Sequence, residues 1–259
     1  MEKQVLANTM NARISSPSGW KTVANTISQL VDEATFNVDQ DGITFRGMDP
    51  AHVAMIDLFW PSMSFDKFSC EKKQSFTVRM EDFTKIVKRA SAEDSFEISH
   101  EKKDVLQFNI GSGREFTLHL MDSTTGESPL PKLNFDASYA LNLSAVERIL
   151  SDALTVSDHI RIAASKDGIE FSARGDAGDF KQSIKSGSLD LIELKCSNDA
   201  TATYSLEYIT KIIKSAKESN ESVAFFMASK MPLKIEFKLT PEANSKGYIR
   251  FFLAPRVQE

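Results

Sequence analysis

Apolar positions along the chain follow two rhythms, one helical and one alternating, and these mark out the expected elements. Trp20, Val23, Ala24, Ile27, Leu30 and Val31 fall at helical spacing. They predict a helix that starts at the Ser15-Ser16-Pro17-Ser18 cluster, with serines as caps and proline in the first turn, and ends near Glu33. Met80, Phe83, Ile86, Val87 and Ala90 form a second stripe and predict a helix over residues 81–90. Elsewhere the period is two. Residues 5–14 read as a loosely alternating strand, and Phe36 and Val38 open a hairpin that turns at Asp41-Gly42, where both positions tolerate φ > 0. Ile43, Thr44, Phe45 and Arg46 alternate along its second arm. Residues 47–52 break the pattern as a loop, and Val53, Met55 and Asp57 resume a strand that ends near Pro61. Phe96-Glu97-Ile98 and residues 105–110 make another hairpin across a charged turn at 100–104. Residues 114–120 alternate again, with Phe116, Leu118 and Leu120 on one face.

Residues 123–131 carry Gly126, Pro129 and Pro131 with little periodicity and read as a linker. After them the first half returns. Val146, Ile149, Leu150 and Ala153 repeat the first helix stripe, and Ile160-Arg161-Ile162 with Ile169-Glu170-Phe171 repeat the hairpin. Asp167-Gly168 follows Asp41-Gly42 by 126 positions. Leu206, Ile209, Ile212, Ile213 and Ala216 repeat the second stripe at that same 126, which lays Lys211 and Lys214 on Lys85 and Lys88. A shared frame for a hairpin and a helix stripe is hard to reach by chance. Two copies of one unit follow, each with short strands and two helices, so the class is α+β. The expected domains are residues 1–120 and 135–259, with a connector over 121–134.

Composition narrows the function. The chain has 259 residues, 41% hydrophobic and 26% charged, enough for one large domain or two of about 120 residues each. Its start, MEKQVLANTM, lacks the apolar run of a signal peptide, and no stretch approaches a membrane span, so a cytoplasmic protein is expected. Cys70 and Cys196 are isolated and suit free thiols in a reducing compartment. The net charge of −5 argues against a tight, non-specific grip on nucleic acid. Cations nevertheless gather on helix faces: Lys85, Lys88 and Arg89 lie opposite the second stripe, Lys211 and Lys214 opposite its repeat, Arg148 opposite Val146 and Leu150, and Lys21 on the flank of its helix. Acidic residues look scarce on these faces, which favours a polyanionic partner over a merely solvated surface. No aromatic residues interleave them, so the contact would be with phosphates and blind to sequence. His52 stands alone, without the three or four ligands a zinc site needs. Neither a phosphate loop nor a nucleophile elbow occurs.

Gly47-Met48-Asp49-Pro50-Ala51-His52-Val53-Ala54-Met55 resembles the loop-strand signature of proliferating cell nuclear antigen (PCNA), the DNA sliding clamps, in the Asp-Pro form of archaeal members. Leu120-Met121-Asp122 resembles the start of the family's connector, and Phe252-Leu253-Ala254-Pro255-Arg256 its terminal segment, in order along nearly the whole chain. The resemblance implies the DNA-clamp fold, with two similar domains, each of two helices packed on antiparallel sheets, assembling as a homotrimeric ring. Double-stranded DNA would thread the ring topologically, without sequence preference. The implied DNA-facing residues are Lys21, Lys85, Lys88, Arg89, Arg148, Lys211, Lys214 and Lys217. The implied groove for partner peptides combines Met48, His52, Val53, Leu130, Pro131, Pro232, Phe252, Leu253, Ala254 and Pro255. Subunits would meet through edge strands bearing Phe116 and Leu118 on one side and Phe180 and Ile184 on the other. DNA polymerase, clamp loader, flap endonuclease and ligase would dock through short peptide motifs. The resemblance implies no catalysis, metal or cofactor, and a place beside the nucleoid. Two features depart from it: Ser151 and Asp152 make the helix around Arg148 less basic, and residues 123–128 are more polar than the usual connector. A peptide-binding oligomer that does not encircle DNA, and an enzyme with its site between the repeats, remain as alternatives.

Overall fold

The computed structural model describes residues 9–102, 104–122, 129–217, 220–239 and 246–256. The chain folds as two compact units. One takes the described residues of Met1–Gly47, Ile56–Ser128 and Lys238–Ile249, the other those of Met48–Met55, Pro129–Phe237 and Arg250–Glu259. The first half runs β1 (Met10–Ile14), α1 (Ser18–Ser28), β2 (Glu33–Asp39), β3 (Gly42–Met48), β4 (Ala54–Pro61), a 3-10 turn at Ser62–Ser64, β5 (Lys67–Cys70), β6 (Gln74–Arg79), α2 (Met80–Val87), β7 (Phe96–Lys102), β8 (Val105–Ile110) and β9 (Arg114–His119). The second runs β10 (Ala137–Asn142), α3 (Leu143–Ala153), β11 (His159–Ser165), β12 (Gly168–Gly175), β13 (Gly178–Lys185), β14 (Leu191–Cys196), β15 (Ala200–Ser205), α4 (Leu206–Ala216), β16 (Ser222–Met227), β17 (Leu233–Lys238) and β18 (Tyr248–Leu253). Among the described residues no helix is long and apolar enough to cross a membrane.

The duplication is complete at the level of topology. In the first half the strands lie in the orders β5-β1-β7-β8-β9 and β4-β3-β2-β6. The second half repeats them as β14-β10-β16-β17-β18 and β13-β12-β11-β15. β2, β3, β6, α2 and β7 each begin 126 positions before their counterparts β11, β12, β15, α4 and β16. These five elements keep one frame, and the remaining elements shift from it through length differences between the two copies.

The hairpin turn differs from expectation by one residue. Asp39 pairs with Gly42, so the two turn residues are Gln40 and Asp41, and Gly42 opens β3. Gly42 has φ +149°, and a Cβ there would lie 2.1 Å from the Trp60 carbonyl oxygen. Gly168 repeats this with φ +145° and 2.2 Å to the Ile184 carbonyl oxygen. The glycine in each Asp-Gly is thus required by a close strand-to-strand approach rather than by the turn itself.

Each unit packs its pair of helices together, α1 on α2 and α3 on α4. The first unit is filled with aromatics: Trp20 lies 4.8 Å from Trp60 and 5.8 Å from Phe83, centroid to centroid, and Phe83 lies 5.8 Å from Phe108. The second is largely aliphatic, with Ile149, Ile160, Ile162, Ile209 and Ile213 buried. Burial of each such side chain stabilises the fold by about 1.5–3 kcal/mol. α1 ends at Ser28, not near Glu33, because Leu30 and Val31 both donate to the Ile27 carbonyl (3.0 and 3.1 Å) and turn the chain into β2. No serine caps it. Pro17 occupies the cap position and its carbonyl accepts from Lys21 N–H (2.9 Å). Gly47 and Met48 belong to β3 rather than to a loop, and β4 is buried on both faces instead of alternating. His100, expected in a charged turn, is a buried residue of β7 whose Nδ1 donates to Gln74 Oε1 (2.7 Å).

The expected strand at residues 5–8 and the linker at 123–128 lie outside the described residues. On either side of that linker, Met121 forms an isolated bridge to Thr77, and residues 129–134 form neither helix nor strand.

Candidate functional site

The exposed sides of the helices are set by what their other sides bury. On α2, burial of Met80, Phe83, Thr84 and Val87 leaves Glu81, Lys85 and, just beyond the helix, Lys88 and Arg89 in solvent. On α4, burial of Leu206, Ile209, Ile212, Ile213 and Ala216 leaves Glu207, Lys211, Lys214 and Lys217 exposed. Arg148 is exposed on α3, while Lys21 is only half-exposed on α1. Both stripes of cations therefore lie where the sequence puts them.

The expectation that acids spare these faces is wrong. Lys85 Nζ lies 2.5 Å from Glu81 and 3.7 Å from Asp82, and Lys211 Nζ lies 2.6 Å from Glu207. Lys217 reaches Glu147 of α3 at 3.4 Å, and Arg148 reaches Asp190 at 3.4 Å. A glutamate four residues before a lysine, in the first turn of a helix, supports the helix through both the side-chain pair and the dipole. The hydrogen bond from Lys85 holds the Glu81 carboxyl below the usual range, and its acceptance by Glu81 raises the Lys85 ammonium.

The residues expected in a peptide groove all belong to the second unit. Met48 ends β3 half-buried, and exposed His52 places Nδ1 3.1 Å from its sulfur. His52 adopts φ +57°, an uncommon conformation for a residue with a side chain. The carbonyl of half-buried Val53 accepts from Ala254 N–H (2.9 Å), which ties the loop to the chain's last strand. Leu130 is 39% exposed, and Pro131, Pro232, Ala254 and Pro255 are half-buried. Leu253 does not fit the assignment. It is fully buried, one residue out of phase with the surface side of β18. Phe252 retains only 9% exposure and is as much a core residue as a surface one.

What holds this loop in place is a residue pair that spacing does not reveal. Buried Asp49 accepts from Val53 N–H (2.7 Å), Ala54 N–H (2.6 Å) and Ala51 N–H (3.1 Å), and from the Tyr208 hydroxyl of α4 (2.7 Å). Burial pushes the Asp49 carboxyl up, but these four donors together outweigh it and hold it below the ordinary value. The same bond, with burial added, raises the Tyr208 phenol to about 12. An Asp whose side chain captures N–H groups a few residues ahead is a legible turn signal. Tyr208, 159 positions away, carries no such signal.

Two sheet ends bear the residues expected at subunit contacts. β9 ends one sheet with Phe116 and Leu118 half-buried, and β13 ends another with Phe180 half-buried. Ile184 departs from expectation: it is only 4% exposed, turned inward on β13, and belongs to the core of its own unit. Among the described residues no three His, Cys, Asp or Glu side chains gather as a metal site.

A duplicated α+β unit with paired helices, cations on their exposed sides and an Asp-anchored loop defines a clamp-type fold. Residues 9–123 match the family model of the proliferating cell nuclear antigen N-terminal domain, and residues 129–256 that of its C-terminal domain. The DNA polymerase sliding clamp of Cenarchaeum symbiosum (strain A) is 40% identical over 247 residues, covering 95% of this chain and 98% of that protein. Its counterpart in Nitrosopumilus maritimus (strain SCM1) is 37% identical over 250 residues, covering 96% and 99%. The crystal structure of PCNA from Thermococcus kodakaraensis gives a TM-score of 0.88 at 25% identity, over 95% of this chain and 100% of that one. A. fulgidus PCNA, solved with the C-terminal region of FEN-1, shares the fold at a TM-score of 0.87 and 23% identity, over 96% and 99% of the two chains. The chain belongs to the proliferating cell nuclear antigen family.

Proposed function

We propose that three copies of this chain close head-to-tail into a ring around duplex DNA and tether DNA polymerase and other replication and repair proteins to it. The ring acts by tethering, not by catalysis, in the cytoplasm and on the chromosome. The observation that carries this reading is the repeated cation stripe. Lys85 and Lys88 recur as Lys211 and Lys214 at the same displacement, exposed in both copies, in a chain whose net charge is −5. A net-negative protein that concentrates cations on equivalent helix faces presents them to one extended polyanion. Ring closure is supported by the two sheet ends, β9 and β13, which come from different halves of the chain and so favour a heterologous contact. Partner docking is supported by the loop of Met48 and His52, the exposed Leu130, and the C-terminal segment, which suit a short peptide with apolar anchors. A family relative, A. fulgidus PCNA, was solved with the C-terminal region of FEN-1, which supports flap endonuclease as one such partner.

The test replaces Lys85, Lys88, Lys211 and Lys214 together by alanine. Polymerase stimulation on primed circular DNA should fall at least about tenfold while native mass still shows a trimer, since several phosphate contacts are lost at once. Full stimulation by the trimeric variant would overturn the assignment of these faces to DNA.

A further inference from the structure

Both copies of the unit carry the same ion pair on the face assigned to DNA. Glu81 and Lys85 meet at 2.5 Å on α2, and their repeat equivalents Glu207 and Lys211 meet at 2.6 Å on α4. The next cation along each stripe, Lys88 and Lys214, has no ion pair among the described residues. Each stripe thus presents one lysine already occupied and one open. All four side chains of the two pairs are well exposed, from 47% to 69%, so the pairs contribute little to stability. Helix support explains a glutamate in one first turn. Duplication of the unit carries the pair into the second copy, and in both copies the glutamate sets its charge against the lysine nearest the start of the stripe.

We propose that Glu81 and Glu207 are built-in competitors for the DNA phosphates, placed to loosen the grip of the clamp on its duplex. The inference rests on the clamp reading above and concerns how that same face is tuned. The ammonium group has three N–H donors and can reach a carboxylate and a phosphate together, but the glutamate cancels its charge and repels the phosphate, so Lys85 or Lys211 gains full contact with a phosphate only as its glutamate moves away. While the pair is intact the lysine brings no net charge to the duplex and displaces no counterion. Affinity falls with salt by about 0.9 log units per log unit for each phosphate neutralised, so paired lysines are missing from that slope. Asp82 beside Lys85, Glu147 against Lys217 and Asp190 against Arg148 act in the same direction at longer range. The duplex is then retained by topology with little friction, as a clamp that must travel along it requires.

The test compares wild type with Glu81→Gln/Glu207→Gln, which keeps side-chain length and removes the competing charge. The readout is binding of a short linear duplex by fluorescence anisotropy across a salt series. A control, Glu193→Gln/Glu236→Gln, removes two carboxylates that pair with Lys195 and with Lys234 and Arg250 on strands other than the two sheet ends assigned to subunit contact. The helix variant should bind at least about fivefold tighter at low salt, with a slope steeper by about one to two, and should converge on wild type at high salt. Adding Lys85→Gln and Lys211→Gln should reverse the gain. A helix variant with wild-type affinity and slope, or a control that gains as much, would overturn the proposal and leave the clamp reading standing. If wild type shows no salt-dependent duplex binding and no retention on circular DNA, the clamp reading fails and the proposal falls with it.

Discussion

Asp49 shows how much of a loop's path can depend on one carboxylate. Its four donors fix the path from Met48 to Ala54, and one donor, Tyr208, comes from the helix that carries Lys211 and Lys214. Removing that hydroxyl by Tyr208→Phe should cost about 1.5–3 kcal/mol, the range for a hydrogen bond to a charged group. Urea unfolding measures it; a change below a few tenths would mean that the backbone donors suffice. The acid limb gives a second check. Because the carboxyl is depressed in the fold, its stabilisation is present above the unfolded value of about 3.9 and is lost as pH falls through the lower folded value. Wild type should therefore lose stability more steeply than Asp49→Asn below about pH 4. Equal slopes would remove Asp49 from the account. At this scale the sequence was legible only in part. Met48, His52 and Val53 stand near one another as their spacing suggests. Leu253 was assigned from the resemblance of the whole terminal segment, which does not say which of its residues face outward, and it lies buried.

The elements themselves were read well where a stripe faces one core. The second and fourth helices follow their periodicity, since only one face of each is covered. Boundaries failed where a tertiary contact decides them. α1 stops at the turn around the Ile27 carbonyl, and His100 belongs to a strand because β7 continues to pair with β1 there, Met10 opposite His100. The two sheet ends separate two mutations that look alike in sequence. Phe116→Asp places a charge on a half-buried surface of β9 and should release folded monomers, whereas Ile184→Asp buries an unpaired charge within its own unit and should unfold it by about 3 kcal/mol or more. Native mass spectrometry beside a thermal melt distinguishes them. A trimeric Phe116→Asp would exclude β9 from the interface, and a fully stable Ile184→Asp would contradict its inward orientation.

Across the molecule, the duplication is what made the chain legible. Five elements keep a spacing of 126 residues, and the order of strands in both sheets is the same in each copy. Evolution of one unit into two preserves the helix faces, so the cations and their glutamates recur together. Fold and repeat could be read from periodicity, because burial imposes it on every element. Charge pairing across helices could not, because Glu147 and Asp190 come from other turns of the chain than the cations they meet. The account requires that DNA be held by enclosure more than by affinity. That claim is tested most directly by loading the protein on a closed circular duplex, removing excess protein by gel filtration, and cutting the DNA once. The account predicts that the protein stays with the circle and is lost after linearisation, as the ring slides off the ends. Equal retention on the circular and the cut DNA would show binding by contact alone and would contradict it.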